Sequence, residues 1–394
     1  MIGEDHQMKV VIIGAGASGV YLSILLKKKM KECDVVVLEQ NASPLKKLLA
    51  TGNGRCNLSH RHISVDCYDS DNQSIVKDIV SSFDMINEMK ELGLMCHYQG
   101  DLVYPRSEQA LSVKRVLINH ANELGVQFIY EQEVLEVSST YPYHIKTKDH
   151  VYNANYVVYA MGSEAGKLSG THSSRYDILK KLGLKVIPSF PSLVQMETRP
   201  TFKQWKGVRV KGTFSLLENG KCIHTEKGEL LFTEYGVSGI AVMQLSAFYQ
   251  KGHQYEISID FLDDMTHDEL YQFILQQERM GYDHIYDGMI HSKIAHYIER
   301  LKDKRNENIV HLLKDLRLEV KGLRSYENAQ VMKGGLTLKE IDSSLAIQKY
   351  PHMYAMGEIL NVAGLCGGYN LHFAFGSAYR VAQSIERDFY AQNS

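Results

Sequence analysis

Three glycines and one acidic residue near the amino terminus have the spacing of a nucleotide-binding turn. Gly14, Gly16 and Gly19 form a Gly-x-Gly-x-x-Gly pattern directly after the apolar residues 10–13, and Glu39 lies 20 residues after Gly19. Gly14 permits a tight turn, Gly16 lets backbone N–H groups approach a diphosphate, and Gly19 lets a helix pack closely on a strand. A carboxylate at Glu39 can accept hydrogen bonds from ribose hydroxyls. The pattern predicts a dinucleotide site, without deciding between NAD and FAD.

These residues need a strand, a helix and a second strand to position them. Residues 10–13 and 34–39 are apolar runs typical of strands buried on both faces. The apolar stretch between them predicts a helix whose N-terminus turns its partial positive charge toward phosphates. A further apolar strand, residues 156–160, runs into Met161 and Gly162. Because parallel strands end at one edge of a sheet, where ligands bind, these segments are expected to meet there.

A second glycine-rich turn follows at residues 52–57, with the sequence Gly-Asn-Gly-Arg-Cys-Asn. Glycines placed in this way let the main chain lie against a flat ligand. Lys47 and Arg55 offer positive charge to phosphates or to a reduced flavin ring. The segment therefore favours FAD, and a plain surface loop is the alternative.

The last part of the chain contains a third candidate segment. Gly357 and Glu358 follow a short apolar strand, and Gly367 and Gly368 precede a helix predicted over about residues 371–389. A glycine-rich turn that opens a helix directs backbone N–H groups and the positive end of the helix dipole at an anionic ligand. Reduced flavin carries negative charge at one edge of its ring, so we expect flavin contact here.

Together these segments resemble the HI0933-like (BaiN-type) flavoproteins, a family that includes enzymes described as aminoacetone oxidases and bile-acid flavin reductases. Residues 101–107, 231–239, 329–336 and 357–371 are similar to family motifs, so the resemblance covers nearly the whole chain. It implies FAD as the cofactor. No second Gly-x-Gly-x-x-Gly pattern occurs, so NAD(P)H is expected to dock only transiently, as the family reductases imply. The residues expected at the cofactor are Gly14, Ala15, Gly16, Ser18, Gly19, Glu39, Gln40, Lys47, Gly52, Gly54, Arg55, Cys56, Asn57, Val134, Ala160, Gly162, Gly357, Glu358, Gly368, Tyr369, Asn370 and Leu371.

The chain also departs from the usual family motifs. The departures are Asn53, Met161, Ile240 and the pair His372 and Phe373. By analogy the last pair would lie close to the flavin, so the substrate preference of family enzymes does not transfer to this chain.

The fold class predicted is α/β, with a split Rossmann-like FAD-binding domain that carries an inserted antiparallel β module and a small helical module. The expected boundaries are residues 1–193 and 319–394 for the two parts of the FAD-binding domain, 194–264 for a β-barrel-like insertion and 265–318 for the helices. Short alternating runs between glycines indicate the β module. Helical patterns follow at residues 266–280, 288–302 and 306–318, and Thr266 with Glu269 predicts a capping box.

Within the first domain, residues 66–123 are predicted to be helical. Residues 75–92 have apolar positions at helical spacing, and Gly93 is the expected end of that helix. Residues 126–137 and 143–152 alternate in the manner of hairpin strands.

Cys56, His372 and Tyr235 are the candidate catalytic residues. Cys56 has no cysteine near it in the chain, which favours a packing or flavin-contact role over a redox role, although Cys366 is a possible spatial partner. His372 lies in the first turn of the last helix, where proton donation competes with a packed or capping role. Tyr235 is a candidate for substrate contact, with core packing as the alternative. Lys333 is a weaker candidate for an anionic substrate.

No metal site is predicted. His284, His291 and His296 lie in or beside predicted helices, and the last two are five residues apart rather than the four of a helical metal pair. All three are therefore expected at the surface.

Composition excludes several classes of function. Lys and Arg number 44 against 46 Asp and Glu, a formal net charge of −2, which argues against a protein that binds nucleic acid by neutralising phosphates. Six cysteines without a CxxC pair favour a reducing cytoplasm. No apolar stretch is long enough to span a membrane, and residues 1–7 do not resemble a signal peptide. We expect a cytoplasmic protein that acts on a small molecule away from membranes, and its oligomeric state stays open.

Three functions remain. The favoured one is an FAD-dependent reductase that takes hydride from NAD(P)H and reduces a steroid-like (bile-acid-like) or other conjugated ketone. The alternative is an oxidase of a small amine such as aminoacetone, which would produce hydrogen peroxide. The third is a non-catalytic flavin sensor or RNA-associated factor.

Overall fold

The computed structural model describes residues 8–166, 175–282, 284–301 and 305–392; residues 1–7 and the expected helix end at Lys302 lie outside these ranges. The strands are β1 (Lys9–Ile13), β2 (Asp34–Leu38), β3 (Ser59–His60), β4 (Tyr68–Ser70), β5 (Cys96–Gln99), β6 (Leu102–Pro105), β7 (Gln127–Ile129), β8 (Val134–Val137), β9 (Tyr143–Thr147), β10 (Val151–Ala154), β11 (Tyr156–Tyr159), β12 (Val186–Ser192), β13 (Met196–Arg199), β14 (Arg209–Glu218), β15 (Lys221–Phe232), β16 (Gly236–Ser238), β17 (Tyr255–Asp260), β18 (Leu316–Leu323), β19 (Val331–Leu336), β20 (Met353–Ala355) and β21 (Val362–Gly364). The helices are α1 (Ala17–Lys29), α2 (Lys46–Ala50), α3 (Gln73–Ser82), α4 (Met85–Glu91), α5 (Ala110–Glu123), α6 (Arg175–Lys181), α7 (Ile240–Ser246), α8 (His267–Arg279), α9 (Ser292–Glu299), α10 (Asn306–Lys314) and α11 (Tyr369–Gln392).

A parallel sheet forms the centre of the first half of the fold. Its strand order among the described residues is β20-β11-β1-β2-β7, with every neighbouring pair parallel. The apolar residues of β1 and β11 are buried on both faces, as expected when helices cover a parallel sheet. The predicted α/β class and Rossmann-like sheet are confirmed.

The strands of this sheet end at one edge, and the predicted cofactor segments follow them. Gly14 comes after β1, Glu39 after β2, Ala160 after β11 and Gly357 shortly after β20. Segments far apart in sequence thereby become neighbours, which is the usual arrangement of a ligand site in an open α/β sheet.

Two long helices pack together beside the sheet. Helix α1 is apolar on all sides and its middle, from Ser18 to Leu26, is buried. Its last turn carries three lysines, whose charge complements the negative end of the helix dipole. Helix α11 contacts α1, and the rings of Tyr21 and Phe375 lie 5.1 Å apart between centroids. This contact attaches the C-terminal segment to the N-terminal nucleotide motif.

The segment predicted as one helix over residues 75–92 is instead two helices, α3 and α4. Phe83 leaves the helical conformation, and the Asp84 side chain caps α4 by accepting hydrogen bonds from the N–H groups of Ile86 and Asn87, both at 3.1 Å. The apolar period continues through the break, so periodicity alone did not reveal it.

Two further expectations for the first half were wrong in part. Residues 66–123, predicted to be helical, also contain β4, β5 and β6, and β5 pairs with β6 as an antiparallel hairpin. Strand β7, expected in a hairpin, joins the parallel sheet beside β2, while β8, β9 and β10 form a separate antiparallel sheet. Local alternation of side chains does not specify the partner of a strand.

The middle of the chain forms a six-stranded closed barrel among the described residues, in the order β13-β16-β15-β14-β17-β18. Helices α8, α9 and α10 come between β17 and β18 in the sequence. Helix α8 begins with the predicted capping box, in which Thr266 and Glu269 satisfy each other's backbone N–H groups. Helix α10 ends at Lys314, because the residues predicted to continue it begin strand β18.

The contacts divide the chain into two compact units, Met1–Phe190 with Val331–Ser394, and Pro191–Gln330. The parallel sheet lies in the first unit and the barrel in the second. The finer predicted division, with boundaries after residues 193, 264 and 318, stays a prediction.

Candidate functional site

The first glycine turn is shaped by close backbone contacts. A Cβ atom on Gly14, whose φ is +111°, would lie 2.5 Å from the carbonyl oxygen of Ala160, and one on Gly19 would lie 2.0 Å from the Gly14 oxygen. Gly16 differs, because a Cβ there would have no atom within 4 Å. The turn therefore needs two glycines for its own packing and leaves open space at the third, where a ligand can approach the backbone.

The carboxylate of Glu39 is buried and fixed in direction. One oxygen accepts a hydrogen bond from the Ala15 N–H at 2.8 Å, and the other accepts from the Asn41 N–H at 2.8 Å. The Asn41 side chain adds a hydrogen bond at 2.6 Å and in turn accepts one from Lys46 Nζ at 3.0 Å. The oxygen that faces Asn41 already accepts two hydrogen bonds, whereas the oxygen that faces Ala15 accepts one and keeps a second lone pair, with which Glu39 can still accept a hydrogen bond from a ligand.

Two cavities of about 130 and 330 Å³ lie at this edge of the sheet. The smaller one is lined by the glycine turn, the start of α2 and the start of α11, and the larger one by β8 and α6. Five residues line both cavities: Gly14, Glu39, Gln40, Met161 and Arg175. The shared residues show that the two cavities adjoin.

The predicted cofactor residues Lys47 and Glu358 meet in the smaller cavity, although 311 positions separate them. Lys47 Nζ lies 2.6 Å from a Glu358 oxygen, and the Ser163 hydroxyl lies 3.3 Å from the same oxygen. Both charged side chains keep partial exposure to the cavity. This pair supplies one cation and several acceptors for a polar ligand.

Seven further predicted cofactor residues line one of the two cavities. Those in the smaller cavity are Ala15, Gly16, Ser18, Ala160, Gly162 and Leu371, and Val134 lines the larger. Gly19 and Gly357 instead make close contacts within the fold, since a Cβ on Gly357 would lie 2.9 Å from the Ser18 hydroxyl oxygen.

None of residues 52–57, which form the second glycine turn, lines the smaller cavity, although Thr51 directly before the turn does. Gly52 and Gly54 both have positive φ, and Gly52 is closed in by Asn57 and Tyr104. The Arg55 guanidinium lies over the Tyr104 ring and donates to Gln99 at 2.9 Å. Arg55 is thus held at the protein surface rather than in either cavity.

Two asparagines predicted at the cofactor brace the glycine turns, and one of them, Asn57, joins the second turn to the third. The amide of Asn57, oriented to suit its neighbours, donates to the Val103 and Ser59 carbonyl oxygens and accepts from the Gly368 N–H. Asn370 accepts from the Gly364 N–H at 2.8 Å and donates to the Gly364 carbonyl at 2.9 Å. These contacts fix the shape of both turns.

Tyr369, another residue predicted at the cofactor, is packed between aromatic rings. Its ring stacks on His60, with centroids 5.0 Å apart, and meets Tyr68 edge-on at 5.9 Å. Burial raises the pKa of its hydroxyl, which therefore stays protonated.

His372 is buried, and both of its ring nitrogens have partners. Nδ1 lies 2.8 Å from the Ser59 hydroxyl and Nε2 lies 3.1 Å from the Val80 carbonyl. Burial lowers the pKa of this histidine to about 4, so the ring is neutral near pH 7. The geometry favours the packed alternative over proton donation.

Cys56 is also fully buried. Burial raises the pKa of its thiol to about 12, so it is not a thiolate near neutral pH. No disulfide joins cysteines in the described part of the chain. These features favour the packing role.

The remaining catalytic candidate, Tyr235, and the weaker candidate Lys333 have partners of their own. Tyr235 belongs to the second unit, where the Arg324 guanidinium lies 4.6 Å above its ring. Lys333 forms an ion pair with Asp69 and is mostly buried.

One of the expected surface histidines has possible metal-ligating neighbours. The ligand atoms of His284, Asp287 and Glu299 all lie within 4.8 Å of one another, and the first two residues are exposed. His291 instead caps α9. The absence of a metal site stays a prediction.

Arg175 and Asn41 were not found from the sequence. Arg175 stands alone in a segment without a motif, and Asn41 lies two residues beyond the acid that ends the nucleotide pattern. Only the fold shows that Arg175 lines both cavities.

Among the described helices, none is both long and apolar enough to cross a bilayer.

Known proteins provide an independent comparison. A family model described as HI0933-like protein Rossmann domain matches residues 8–384. A 3-dehydro-bile acid delta(4,6)-reductase of Clostridium scindens is 29% identical, with 95% of this chain and 98% of the relative covered. A ribosomal RNA dihydrouridine synthase of Escherichia coli is 27% identical, with 96% of this chain and 98% of the relative covered.

A solved structure agrees with the fold. The 3-ketosteroid-delta4-(5alpha)-dehydrogenase of Rhodococcus jostii superposes with a TM-score of 0.50 at 15% identity, covering 97% of this chain and 98% of that one. At this identity the likeness concerns the fold alone.

Proposed function

The chain belongs to the HI0933-like family of FAD-dependent Rossmann-fold oxidoreductases, and from this membership we propose that it reduces a C=C bond conjugated to a carbonyl group, with NAD(P)H as the transient reductant. The acceptor we favour is a small organic molecule such as a steroid-like ketone. The observation that supports cofactor binding by this chain is the pair of adjoining cavities with Glu39 and Gly16 in their walls.

The described residues fit FAD. The open space at Gly16 suits a diphosphate, which the N-terminus of α1 and its free backbone N–H groups would attract. Glu39 would accept a ribose hydroxyl with its remaining acceptor position, the larger cavity beside Val134 would take the adenine end, and Lys47 would face the rest of the molecule. Bound FAD supplies a carrier that accepts hydride from one molecule and delivers it to another.

The names of the relatives favour reduction over oxidation. The double bonds of a 3-dehydro-delta(4,6) bile acid are conjugated to the 3-oxo group, and a dihydrouridine is a uridine saturated at a C=C bond conjugated to a carbonyl. Both products therefore arise by adding two hydrogens across a conjugated double bond. We expect this chain to catalyse the same addition of two hydrogens, which is the reaction that the two relatives have in common.

RNA is a second candidate substrate, because one relative is named for ribosomal RNA and matches nearly the whole chain. The net charge of −2 argued against binding of nucleic acid, but a local surface patch can bind RNA even when the charges of the whole chain nearly cancel. The guanidinium of Arg61, directly after β3, lies 4.0 Å over the exposed ring of Tyr98 on β5. Exposed cation–aromatic pairs suit stacking of unpaired bases.

An anaerobic titration tests the proposed reaction. The purified protein is mixed with NADH, NADPH or aminoacetone, and the loss of the visible flavin absorption is followed. We expect bleaching by a nicotinamide and recovery of the colour when a 3-oxo-delta-4 steroid is added. Bleaching by aminoacetone alone, with peroxide on adding air, would contradict the reductase and support the oxidase.

The same reduced protein distinguishes the two acceptors. Ribosomal RNA that lacks dihydrouridine is added in place of the steroid, and the mass of its nucleosides is measured. Recovery of colour with a gain of two hydrogens on uridine, and none with the steroid, would replace the small-molecule proposal with RNA. A protein that contains no flavin and takes none up would contradict both.

A further inference from the structure

Arg175 lies where the two cavities meet. It is the first residue of α6, it is 8% exposed, and it lines both the smaller and the larger cavity. Its NH1 group donates hydrogen bonds to the carbonyl oxygens of Met161, at 3.2 Å, and Ser163. The guanidinium is therefore fixed against the turn that follows β11.

From this position we propose that Arg175 binds the diphosphate of the dinucleotide, opposite the glycine turn; the inference rests on the proposed binding of FAD. A dinucleotide that spans both cavities has to pass the shared wall, which contains Gly14, Glu39 and Arg175. The diphosphate is the part of such a ligand that joins its two halves. Arg175 is the cation of that shared wall.

The two lysines of the smaller cavity have polar partners, as Arg175 does, so position is what distinguishes Arg175: among these three cations it alone lines both cavities. Lys47 forms the 2.6 Å ion pair with Glu358, and Lys46 donates to Asn41. A diphosphate adds about two negative charges, and its attraction to a buried cation is stronger than to a solvated one. Arg175 is buried, and a guanidinium carries five N–H donors in one plane, which can serve the two carbonyl oxygens and a phosphate group together.

The charges around Arg175 keep it protonated. Burial lowers the pKa of its guanidinium, and nearby Tyr176, Glu164 and Glu39 oppose that change. Arginine remains charged throughout the physiological range.

A purely structural role is the competing explanation. In that case Arg175 would only brace the turn at Met161 and Ser163, and its loss would disturb every ligand of the adjoining cavities alike. Diphosphate binding instead predicts a loss that depends on whether the ligand carries phosphates.

The experiment uses the full-length protein stripped of flavin and compares ADP with adenosine by calorimetry. For Arg175→Gln we expect ADP and FAD to bind about 10- to 100-fold more weakly, while the affinity for adenosine changes by less than about twofold. Arg175→Lys, which keeps the charge and fits the same space, is expected to give an intermediate ADP affinity. Lys180→Gln is the matched control, because Lys180 is an exposed cation of the same helix that lines neither cavity, and it should leave both affinities unchanged.

Equal losses of ADP and adenosine affinity in Arg175→Lys, or an unchanged ADP affinity in either variant, would overturn the inference. If the unaltered protein binds neither FAD nor ADP, the proposed function itself fails. If it binds both and the variants bind them equally well, only the role of Arg175 fails.

Discussion

Glu39 is the residue on which the nucleotide assignment depends most directly. Its carboxylate lies in the wall of both cavities and is aimed by Ala15 and Asn41. Replacing Glu39 with Gln removes the charged acceptor and should weaken FAD binding about 10- to 100-fold, since hydrogen bonds to charged groups contribute about 1.5–3 kcal/mol. Fluorescence titration of the flavin-free protein measures this change. Glu136→Gln, at an exposed position of β8, is the control, and equal affinities in the two variants would remove Glu39 from the site.

His372 gives a prediction about pH. Its pKa in the folded protein is about 4 because of burial, against an ordinary 6.5, so the unfolded chain binds more protons between these values. The stability that depends on its neutral ring is complete above pH 6.5 and falls by about 3 kcal/mol as the pH drops toward 4. In His372→Gln, urea unfolding at several pH values should show a flatter dependence over this range. The exposed His150→Gln should keep the slope of the original protein, and an unchanged slope in the first variant would contradict the prediction.

Sequence motifs were enough to select some of the residues that line the cavities. Glu39 and Lys47 follow recognisable motifs, and both line the cavities. Asn57 also belongs to a motif, but its amide braces a turn, because a motif shows that a residue matters to a segment without showing which way it points. Arg175 has no local signal, since its position depends on two chain segments that meet only in the fold.

At the scale of elements, the turn between β1 and α1 provides a matched pair of variants. A Cβ on Gly19 would meet the Gly14 carbonyl oxygen at 2.0 Å, whereas one on Gly16 meets nothing within 4 Å. Gly19→Ala should therefore lower the free energy of unfolding by at least about 2 kcal/mol.

Gly16→Ala should leave the stability within about 0.5 kcal/mol, because φ is −77° there and any residue adopts it. The added methyl group would occupy space needed by the diphosphate, so FAD should bind roughly tenfold more weakly. Thermal unfolding of the flavin-free proteins and flavin titration separate the two effects. Equal stability losses in the two variants would contradict this assignment of the glycines.

The break between α3 and α4 depends on a capping side chain. Asp84 accepts hydrogen bonds from the two N–H groups at the start of α4, so Asp84→Ala should cost about 1 kcal/mol in urea unfolding. Asp78→Ala, at an exposed position within α3, should change the free energy of unfolding by less than about 0.5 kcal/mol. Similar losses of unfolding free energy in the two variants would mean that the Asp84 cap does not stabilise the start of α4.

Helices and strands with a continuous apolar pattern were predictable from the sequence, whereas strands that are defined by their pairing with another strand were not. The buried strands β1 and β2 and helix α1 follow from their apolar pattern. Strand β7 has only three residues, and only its pairing with β2 makes it part of the parallel sheet. Short strands carry too little periodicity to specify a neighbour.

For the whole molecule, every described residue that lines the two cavities belongs to the first unit. The segment that forms the second unit leaves and returns at adjacent points, since the Gln330 N–H donates to the Leu193 carbonyl at 3.3 Å. A chain in which a short glycine-serine linker replaces residues 194–329 should therefore fold and bind FAD within about tenfold of the full-length protein, because closing a short loop costs little. Flavin titration of the purified shortened chain measures this, and failure to bind flavin in a folded fragment would contradict it.

The α/β class and a split FAD-binding domain were expected because nucleotide motifs occur near both ends of the chain. The closure of the barrel was harder to predict. Strand β18 follows three helices, and its sequence does not indicate that it pairs with β13 and β17. Sequence order shows that an insertion exists, whereas the pairing of strands from its two ends depends on three-dimensional packing.

The split first unit has a consequence for synthesis. Glu358, Leu371 and Ala374 line the smaller cavity together with residues of the first 51 positions. A ribosome adds about 5–20 residues per second. The whole second unit is therefore synthesised after the glycine turn and before the C-terminal residues that line the same cavity. The barrel can fold during that delay, but the smaller cavity has no complete wall until the last helix leaves the ribosome. The proposed flavin site can therefore be complete only after α11 has been synthesised, and a product truncated before α11 would lack part of the cavity wall.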